Sequence, residues 1–305
     1  MLWVITSYFN PCGYQSRRRN YGVFRRRLQA PLVTVELSFD GEFQLQPDEA
    51  DIMVRVRGGD VIWQKERMLN VALAHLPGEC EMVAWIDCDV FFADDRWPAK
   101  AREALGRHSA IQLYSTLLDV TDEAGASSPS ASWRSVMNTL SDGGIGFDSL
   151  VSMKPRSGGS RFGMAWVARR DWLDRHGFYD ACVIGGGDRA MAAALFGSIQ
   201  ELCDFQLMNK PRAEHYQDWA TQLYQTVRGN VGFIEGTLYH LWHGEFGNRY
   251  YKERHLELSK FDFDPTTDLA LDAGGAWRWN SRKPEMHRFV REYFFSRQED
   301  GPPPG

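Results

Sequence analysis

The chain has 305 residues, 43% of them hydrophobic and 25% charged, with a net charge of -5. This composition excludes a disordered or fibrous chain, and the acidic balance argues against general nucleic-acid affinity. No apolar run approaches the roughly 18 residues of a membrane span. The five cysteines (Cys12, Cys80, Cys88, Cys182 and Cys203) are odd in number and lack metal-ligand spacing, as expected of a cytosolic protein without a disulfide framework.

The opening LWVITSYF reads as a first strand rather than a signal peptide. LVTVE, IMVRV, MVAWI and AIQLY are further strand candidates. Between the third and fourth, WQKERMLNVALAHL repeats Leu69, Ala72, Leu73 and Leu76 at helical spacing. PAKAREAL is a helix with proline in its first turn. This alternation over residues 1–115 predicts a doubly wound, largely parallel α/β sheet, in which ligands bind beyond the carboxyl ends of the strands.

After residue 115 the pattern weakens. DEAGASSPSASW is expected to be a loop, and the glycine- and serine-rich 141–161 stretch either a lid or a plain surface excursion. Regular structure returns with GMAWVARRDWLDRHG and DRAMAAALFG. EHYQDWATQLYQTV then carries a core-facing stripe of Tyr216, Trp219, Ala220, Leu223, Tyr224 and Val227. EMHRFVREYFFSR does the same with Met286, Phe289, Val290, Tyr293 and Phe294, and GPPPG reads as a frayed tail.

Chemistry concentrates in four places. In VAWIDCDVFF an extended backbone would turn Asp87 and Asp89 to one face and Cys88 to the other. Such a carboxylate pair at a strand end suits Mg²⁺ or Mn²⁺, and a plain acidic turn is the alternative. In YHLWHGEFGNR, His240 and His243 are spaced to reach one ion from a turn or helix start; two imidazoles favour Mn²⁺ over Mg²⁺. In VIGGGDRAM, Asp188 is either a helix cap or a general base at a loop mouth. In VIWQKER, Lys65 and Arg67 could meet a diphosphate beside the flat face of Trp63, or form a solvated basic face.

The order of these segments resembles metal-dependent GT-A glycosyltransferases, especially the beta-galactosyltransferase type. WQKERMLNVAL stands for the family's basic helix before the D-x-D strand AWIDCDVFF. RFGMAWVARRDWLDRHGFYDACVIGGGDRAM stands for its glycine-rich acceptor segment, and HLWH for its second metal pair. The resemblance covers roughly residues 1–250. It implies a GT-A-like, Rossmann-like nucleotide-binding sheet, mostly parallel and flanked by helices. The donor half would be 1–115 and the acceptor half about 160–250, with a helical C-terminal extension over 251–305.

The implied activity is transfer of a sugar from a nucleoside-diphosphate sugar, UDP-linked by expectation, to an acceptor hydroxyl, with inversion. Asp89, His240 and His243 would ligate Mn²⁺ (or Mg²⁺), with Asp87 on the ribose or reaching the metal through water. Asp188 would deprotonate the acceptor. Trp63, Lys65 and Arg67 would meet the nucleotide, while Thr6, Tyr8, Asn10 and Glu36 would line the base and ribose pocket. Gly186, Gly187, Trp242 and Arg249 are acceptor-side candidates. Gly187 stands where the family has a glutamate, and the tryptophan preceding the family's glycines is absent. These departures bear on both substrates, and retaining relatives share the metal ligands.

Six arginines within residues 17–27, interleaved with Tyr21 and Phe24, form either a solvated face or a site for a polyanionic acceptor, a membrane-surface carrier or nucleic acid. The alternatives to a glycosyltransferase are a nucleotidyltransferase acting on sugar phosphates and a non-catalytic sugar-nucleotide or glycan-binding protein. The first would need a glycine- and lysine-rich phosphate loop after the first strand, and SYFNPCGYQSRRRN is a poor match. The second would have no use for Asp188 as a base.

Overall fold

The computed structural model describes residues 1–153 and 159–301, with the side chain of Ser127 left aside. The chain opens with β1 (Leu2–Phe9), α1 (Gln15–Arg27), β2 (Leu32–Ser38), β3 (Ile52–Arg57), α2 (Lys65–Ala74) and β4 (Met82–Ile86). It continues through β5 (Val90–Phe92), α3 (Trp97–Leu105), β6 (Ala110–Gln112), β7 (Thr116–Val120), β8 (Ala131–Ser135), β9 (Ser160–Arg161) and β10 (Ala165–Arg169). β11 (Val231–Phe233) and β12 (Thr237–Leu241) follow two helices, Gly187–Phe196 and Lys210–Val227.

Seven strands form the main sheet in the order β11-β6-β10-β4-β1-β2-β3. β3, β2, β1 and β4 run parallel, whereas β10 is antiparallel to both β4 and β6. The sheet is mostly parallel, as expected, with β10 as its antiparallel strand. β1 and β4, at the centre, are buried on both faces because helices cover both, whereas the edge strand β3 carries Arg55 and Arg57 and is largely unburied. On β1, Ile5 and Phe9 join one core cluster with α2 and the Gly187–Phe196 helix, while Leu2, Val4 and Tyr8 join the other with α1 and α3. On β4, Val83 and Trp85 alternate with Met82, Ala84 and Ile86 in the same way. Burying a side chain of this size stabilises the fold by about 1.5–3 kcal/mol.

Beyond residue 115 the chain holds more regular structure than its composition suggests. β5, β12, β7, β8 and β9 build a second, five-stranded sheet. The expected 122–133 loop holds one 3-10 turn and enters β8, so Trp133 is buried. Within 141–161, the helix Phe147–Ser152 buries Phe147, Leu150 and Val151, and Phe147 stacks on Phe196 at 4.0 Å. These apolar anchors weigh against a freely moving lid over that part. Residues 154–158 of the stretch, and 302–305 of the GPPPG tail, lie outside the described residues. The stripe on Lys210–Val227 buries Tyr216, Ala220, Leu223 and Val227, whereas Tyr224 is exposed. The helix Pro284–Ser296 docks Met286, Val290, Tyr293 and Phe294. Among the described residues no helix is long and apolar enough to cross a membrane.

Candidate active site

The carboxyl ends of β1 and β4, the 185–189 corner, the end of β12 and the C-terminal segment enclose a cavity of about 210 Å³. Asp87, Cys88 and Asp89 lie past the end of β4, in the connection to β5. The extended alternation expected for them therefore fails, and all three line the cavity. The two carboxylates part company there. Asp87 Oδ1 meets Lys65 Nζ at 2.5 Å, and Asp89 Oδ2 meets His243 Nε2 at 3.0 Å. The Cys88 thiol donates to the Ser7 carbonyl at 3.6 Å, and burial pushes it well above its ordinary value.

The histidines come from a strand rather than a helix start. His240 lies on β12, directly opposite Asp119 on the parallel β7. His240 Nδ1 donates to Asp119 Oδ1 at 2.6 Å, because an ionised carboxylate can only accept. That bond fixes the tautomer and turns the Nε2 lone pair toward His243, whose Nε2 is 3.0 Å away. The amide of Leu241 donates to the Asp89 carbonyl at 2.8 Å, tying the aspartate loop to the same strand.

One ligand atom each from Asp89, His240 and His243 lies within 4.8 Å of the others. Asp89 Oδ1 is buried with no hydrogen-bond partner. An orphaned buried carboxylate oxygen beside two converging imidazole nitrogens fits a divalent cation. Burial pushes the Asp89 carboxyl up, but His243, His240 and Arg249 outweigh it and hold the group below the usual carboxylate range. Arg249 itself approaches His243 Nε2 at 3.0 Å. Asp119 supports the site from behind, and sequence reading missed it. Strand pairing is the only signal that would have found it.

Lys65, at the start of α2, bridges the other pair, with Nζ 2.8 Å from Asp188 Oδ1 and 2.5 Å from Asp87. Asp188 is not the helix cap. Gly186 takes that position with φ of 99°, and Asp188 follows in the first turn. Burial, with the Asp188 and Asp89 charges, pushes Asp87 up to about 7 against the pull of Lys65. Glu66, another residue missed in the sequence, is buried behind this group and raised to about 8 by burial against the Lys65 ammonium. Its carboxyl fills the space a side chain at Gly187 would need.

The remaining candidates divide. Trp63 lines the cavity, stacked on Phe294 at 5.9 Å and covered by the Arg297 guanidinium at 5.1 Å. Thr6 and Tyr8 line it too, although Thr6 Oγ1 donates to the Ile86 carbonyl and Tyr8 Oη to Gln44. Gly186 and Arg249 line it as well. Asn10, Glu36, Arg67, Gly187 and Trp242 are not among the lining residues. Glu36 accepts from the amides of Gln44 and Leu45 and fixes that loop, while Asn10 binds the Tyr14 carbonyl and Gln44. Arg67 turns away to the Gly275 carbonyl and Asp180. Trp242 donates its backbone amide to Val120.

The arginine run is largely absorbed by structure. Five of its six members meet carboxylates: Arg17 with Glu299, Arg18 with Glu49, Arg25 with Asp51, and Arg26 and Arg27 with Glu123. Only Arg17 reaches the cavity. Residues after 250 contribute more than packing, since Tyr251, Arg254, His255 and Arg297 line the site.

No family model matches the chain, and no curated protein matches it. Solved structures similar to it include nucleotide-diphospho-sugar transferases of the GT-A fold. Residues 1–349 of TarS from S. aureus share 12% identity at a TM-score of 0.37, over 75% of this chain and 73% of that one. Glucosyl-3-phosphoglycerate synthase from Mycobacterium tuberculosis, in complex with Mn²⁺, UDP and phosphoglyceric acid, shares 11% at 0.44, over 89% and 81%. The galactosyltransferase LgtC, with donor and acceptor sugar analogs, shares 10% at 0.37, over 85% and 95%. The mixed sheet and its flanking helices, rather than these low scores, define the α/β fold.

Proposed function

We infer that this chain is a metal-dependent glycosyltransferase that moves a sugar from a UDP-linked donor to an acceptor hydroxyl with inversion. One observation carries the reading. The Asp89–His240–His243 cluster and the Asp188 carboxylate open onto a single cavity, with Lys65 joining Asp188 to Asp87, the other aspartate of the D-x-D segment.

Asp89, His240 and His243 would hold Mn²⁺ or Mg²⁺, which when bound supplies Lewis-acid neutralisation of the leaving diphosphate. Trp63 offers a face for the base, with Thr6 and Tyr8 beside it. Lys65 and Arg249 supply fixed positive charge where the leaving group gains negative charge. Asp188 accepts the proton of the acceptor hydroxyl as its oxygen attacks the anomeric carbon. The bond from that carbon to the diphosphate oxygen breaks, and the electron pair leaves with the nucleotide.

Residues 1–115 form the donor half and about 160–250 the acceptor half in this reading, amended by the cavity-lining residues beyond 250. The five unpaired cysteines favour a reducing, cytoplasmic setting. The 10–14 turn after β1 carries one glycine and no lysine, which disfavours the phosphate loop of a nucleotidyltransferase.

The test is a thermal-shift screen of nucleotide sugars with and without Mn²⁺, then a hydrolysis assay on the hits. A UDP-sugar should stabilise the protein only with metal, and Asp188→Asn should bind it without turnover. Turnover retained by Asp188→Asn would remove the base assignment, and a screen without any stabilised sample would remove the reading itself.

A further inference from the structure

The cavity is strongly cationic in an acidic chain. Seven basic side chains line it (Arg17, Lys65, Arg161, Arg189, Arg249, Arg254 and Arg297) against three carboxylates, Asp87, Asp89 and Asp188. Three of the seven are held by carboxylates, Lys65 by Asp87 and Asp188, and Arg17 and Arg297 by Glu299. Arg161, Arg189, Arg249 and Arg254 have no ion pair among the described residues, and of these Arg249 faces His243.

Arg189 and Arg254 lie on the Asp188 side. Arg189 follows Asp188 in sequence, and an Arg254 terminal nitrogen and the Trp63 ring each lie 3.4 Å from where a Cβ on Gly185 would stand. A Cβ on Gly186 would meet Gln206 at 2.9 Å and His255 at 3.3 Å. The two glycines, with φ of 81° and 99°, thus let these side chains crowd the corner next to Asp188.

The guanidiniums are held by aromatic faces and neutral acceptors rather than by carboxylates, since Arg189 Nη1 donates to the carbonyls of Val151 and Met153 and Arg254 Nη1 to Tyr293 Oη. Arg189 lies 4.1 Å from the Phe205 centroid and 4.4 Å from that of Phe162, and Arg254 lies over Tyr251 and Tyr293. Cation–π contact fixes the plane of a guanidinium and leaves its charge uncompensated. Arg189, Arg254 and His255 are all at least nine-tenths buried, and Arg254 Nε and His255 Nδ1 have no hydrogen-bond partner. A buried cation left without an anion costs several kcal/mol. Such an arrangement persists where a ligand supplies the missing charge. Burial and the nearby Arg254, Arg212 and Arg189 charges hold His255 well below its ordinary value, as a surplus of positive charge requires.

Resting on the glycosyltransferase reading, we propose that Arg189, Arg254 and His255 form a subsite for an oxyanion, a phosphate or carboxylate, carried by the acceptor beside the hydroxyl that Asp188 deprotonates. In this proposal the donor diphosphate lies with Asp89, His240, His243 and Arg249. The acceptor is then a small anionic hydroxy compound recognised inside the cavity, rather than a polyanion laid along α1.

Calorimetric titration of the full chain with inorganic phosphate, with and without saturating UDP and Mn²⁺, tests this. Phosphate should bind in both conditions with Kd changing less than about threefold. Arg254→Gln and His255→Gln should each weaken phosphate at least about tenfold, or about 1.4 kcal/mol, and leave UDP binding within about twofold. Arg254→Lys guards against misfolding by keeping the charge, and should lose less than Arg254→Gln. Displacement of phosphate by UDP and Mn²⁺ would overturn the proposal by making the cluster part of the donor site. Absence of phosphate binding to the wild type would overturn it while leaving the donor reading intact. Phosphate binding with no UDP response at all would instead sink the donor reading, and the acceptor role with it.

Discussion

Glu66 and Gly187 compete for one volume: a Cβ on residue 187 would stand 2.0 Å from Glu66 Oε1. No non-bonded contact tolerates that approach, and Glu66 is buried where α2 meets the Gly187–Phe196 helix. Gly187→Ala should therefore destabilise the protein by about 1–3 kcal/mol, the usual cost of overpacking. Glu66→Ala in the same chain should recover most of it. Thermal unfolding of the single and double variants decides, and additive losses would disprove the shared volume.

The same carboxyl gives a pH dependence. Glu66 is raised from 4.5 to about 8, mainly by burial. A raised acid binds its proton more tightly folded than unfolded, so its contribution is full below pH 4.5 and lost as pH rises through about 8. Asp87, raised to about 7, acts in the same direction over a lower window. The melting temperature should fall between pH 5 and 8, and Glu66→Gln should flatten the upper part of that fall. An unchanged slope in the variant would refute the assignment.

Asp119 does not line the cavity, yet it sets the tautomer of His240 through a 2.6 Å bond. Removing such an outer partner of a metal-ligating histidine commonly weakens the metal about 10–100-fold. Asp119→Ala should lower Mn²⁺ affinity by that order, measured by titration on the protein without nucleotide. Wild-type affinity in a folded variant would mean that β7 contributes nothing to the cluster.

Glu299 is fully buried and gathers Arg17 at 2.6 Å and Arg297 at 2.5 Å. Breaking a buried pair by removing one partner costs about 3–5 kcal/mol, because the remaining charge is stranded. Glu299→Ala should lose stability on that scale in urea unfolding, and should also weaken any ligand stacked on Trp63 by freeing Arg297. A loss below about 1 kcal/mol would show that the tie is incidental.

Legibility followed the range of the physics involved. β1 and β4 could be read residue for residue, because two-sided burial writes itself as largely apolar runs. Asp89, His240, His243 and Lys65 could be named because each lies on or beside a strong local element: past the end of β4, on and just after β12, and at the start of α2. Contacts made by register and by distant chain could not be read. The His240–Asp119 pairing depends on which strands become neighbours, and the intrusion of Glu66 at Gly187 depends on how two helices meet. The arginines misled for a related reason. Five arginines of a run visible in sequence are paired with carboxylates 26 to 282 positions away. The cavity arginines without an ion pair, scattered singly at 161, 189, 249 and 254, left no local pattern.

One consequence concerns the order of events during folding. Arg17 and Glu299 meet across 282 residues, and Asp300 accepts from the amides of Gln15 and Ser16 that open α1. Closing so long a span is entropically slow, and contacts of this kind form late. The doubly wound sheet can therefore assemble before its cavity has a wall over Trp63. Affinity for a nucleotide would then arise only on completion of the native state, and a partly folded chain would sequester no donor. The clasp between residues 15–17 and 299–300 would then make binding competence the last property the molecule acquires on folding.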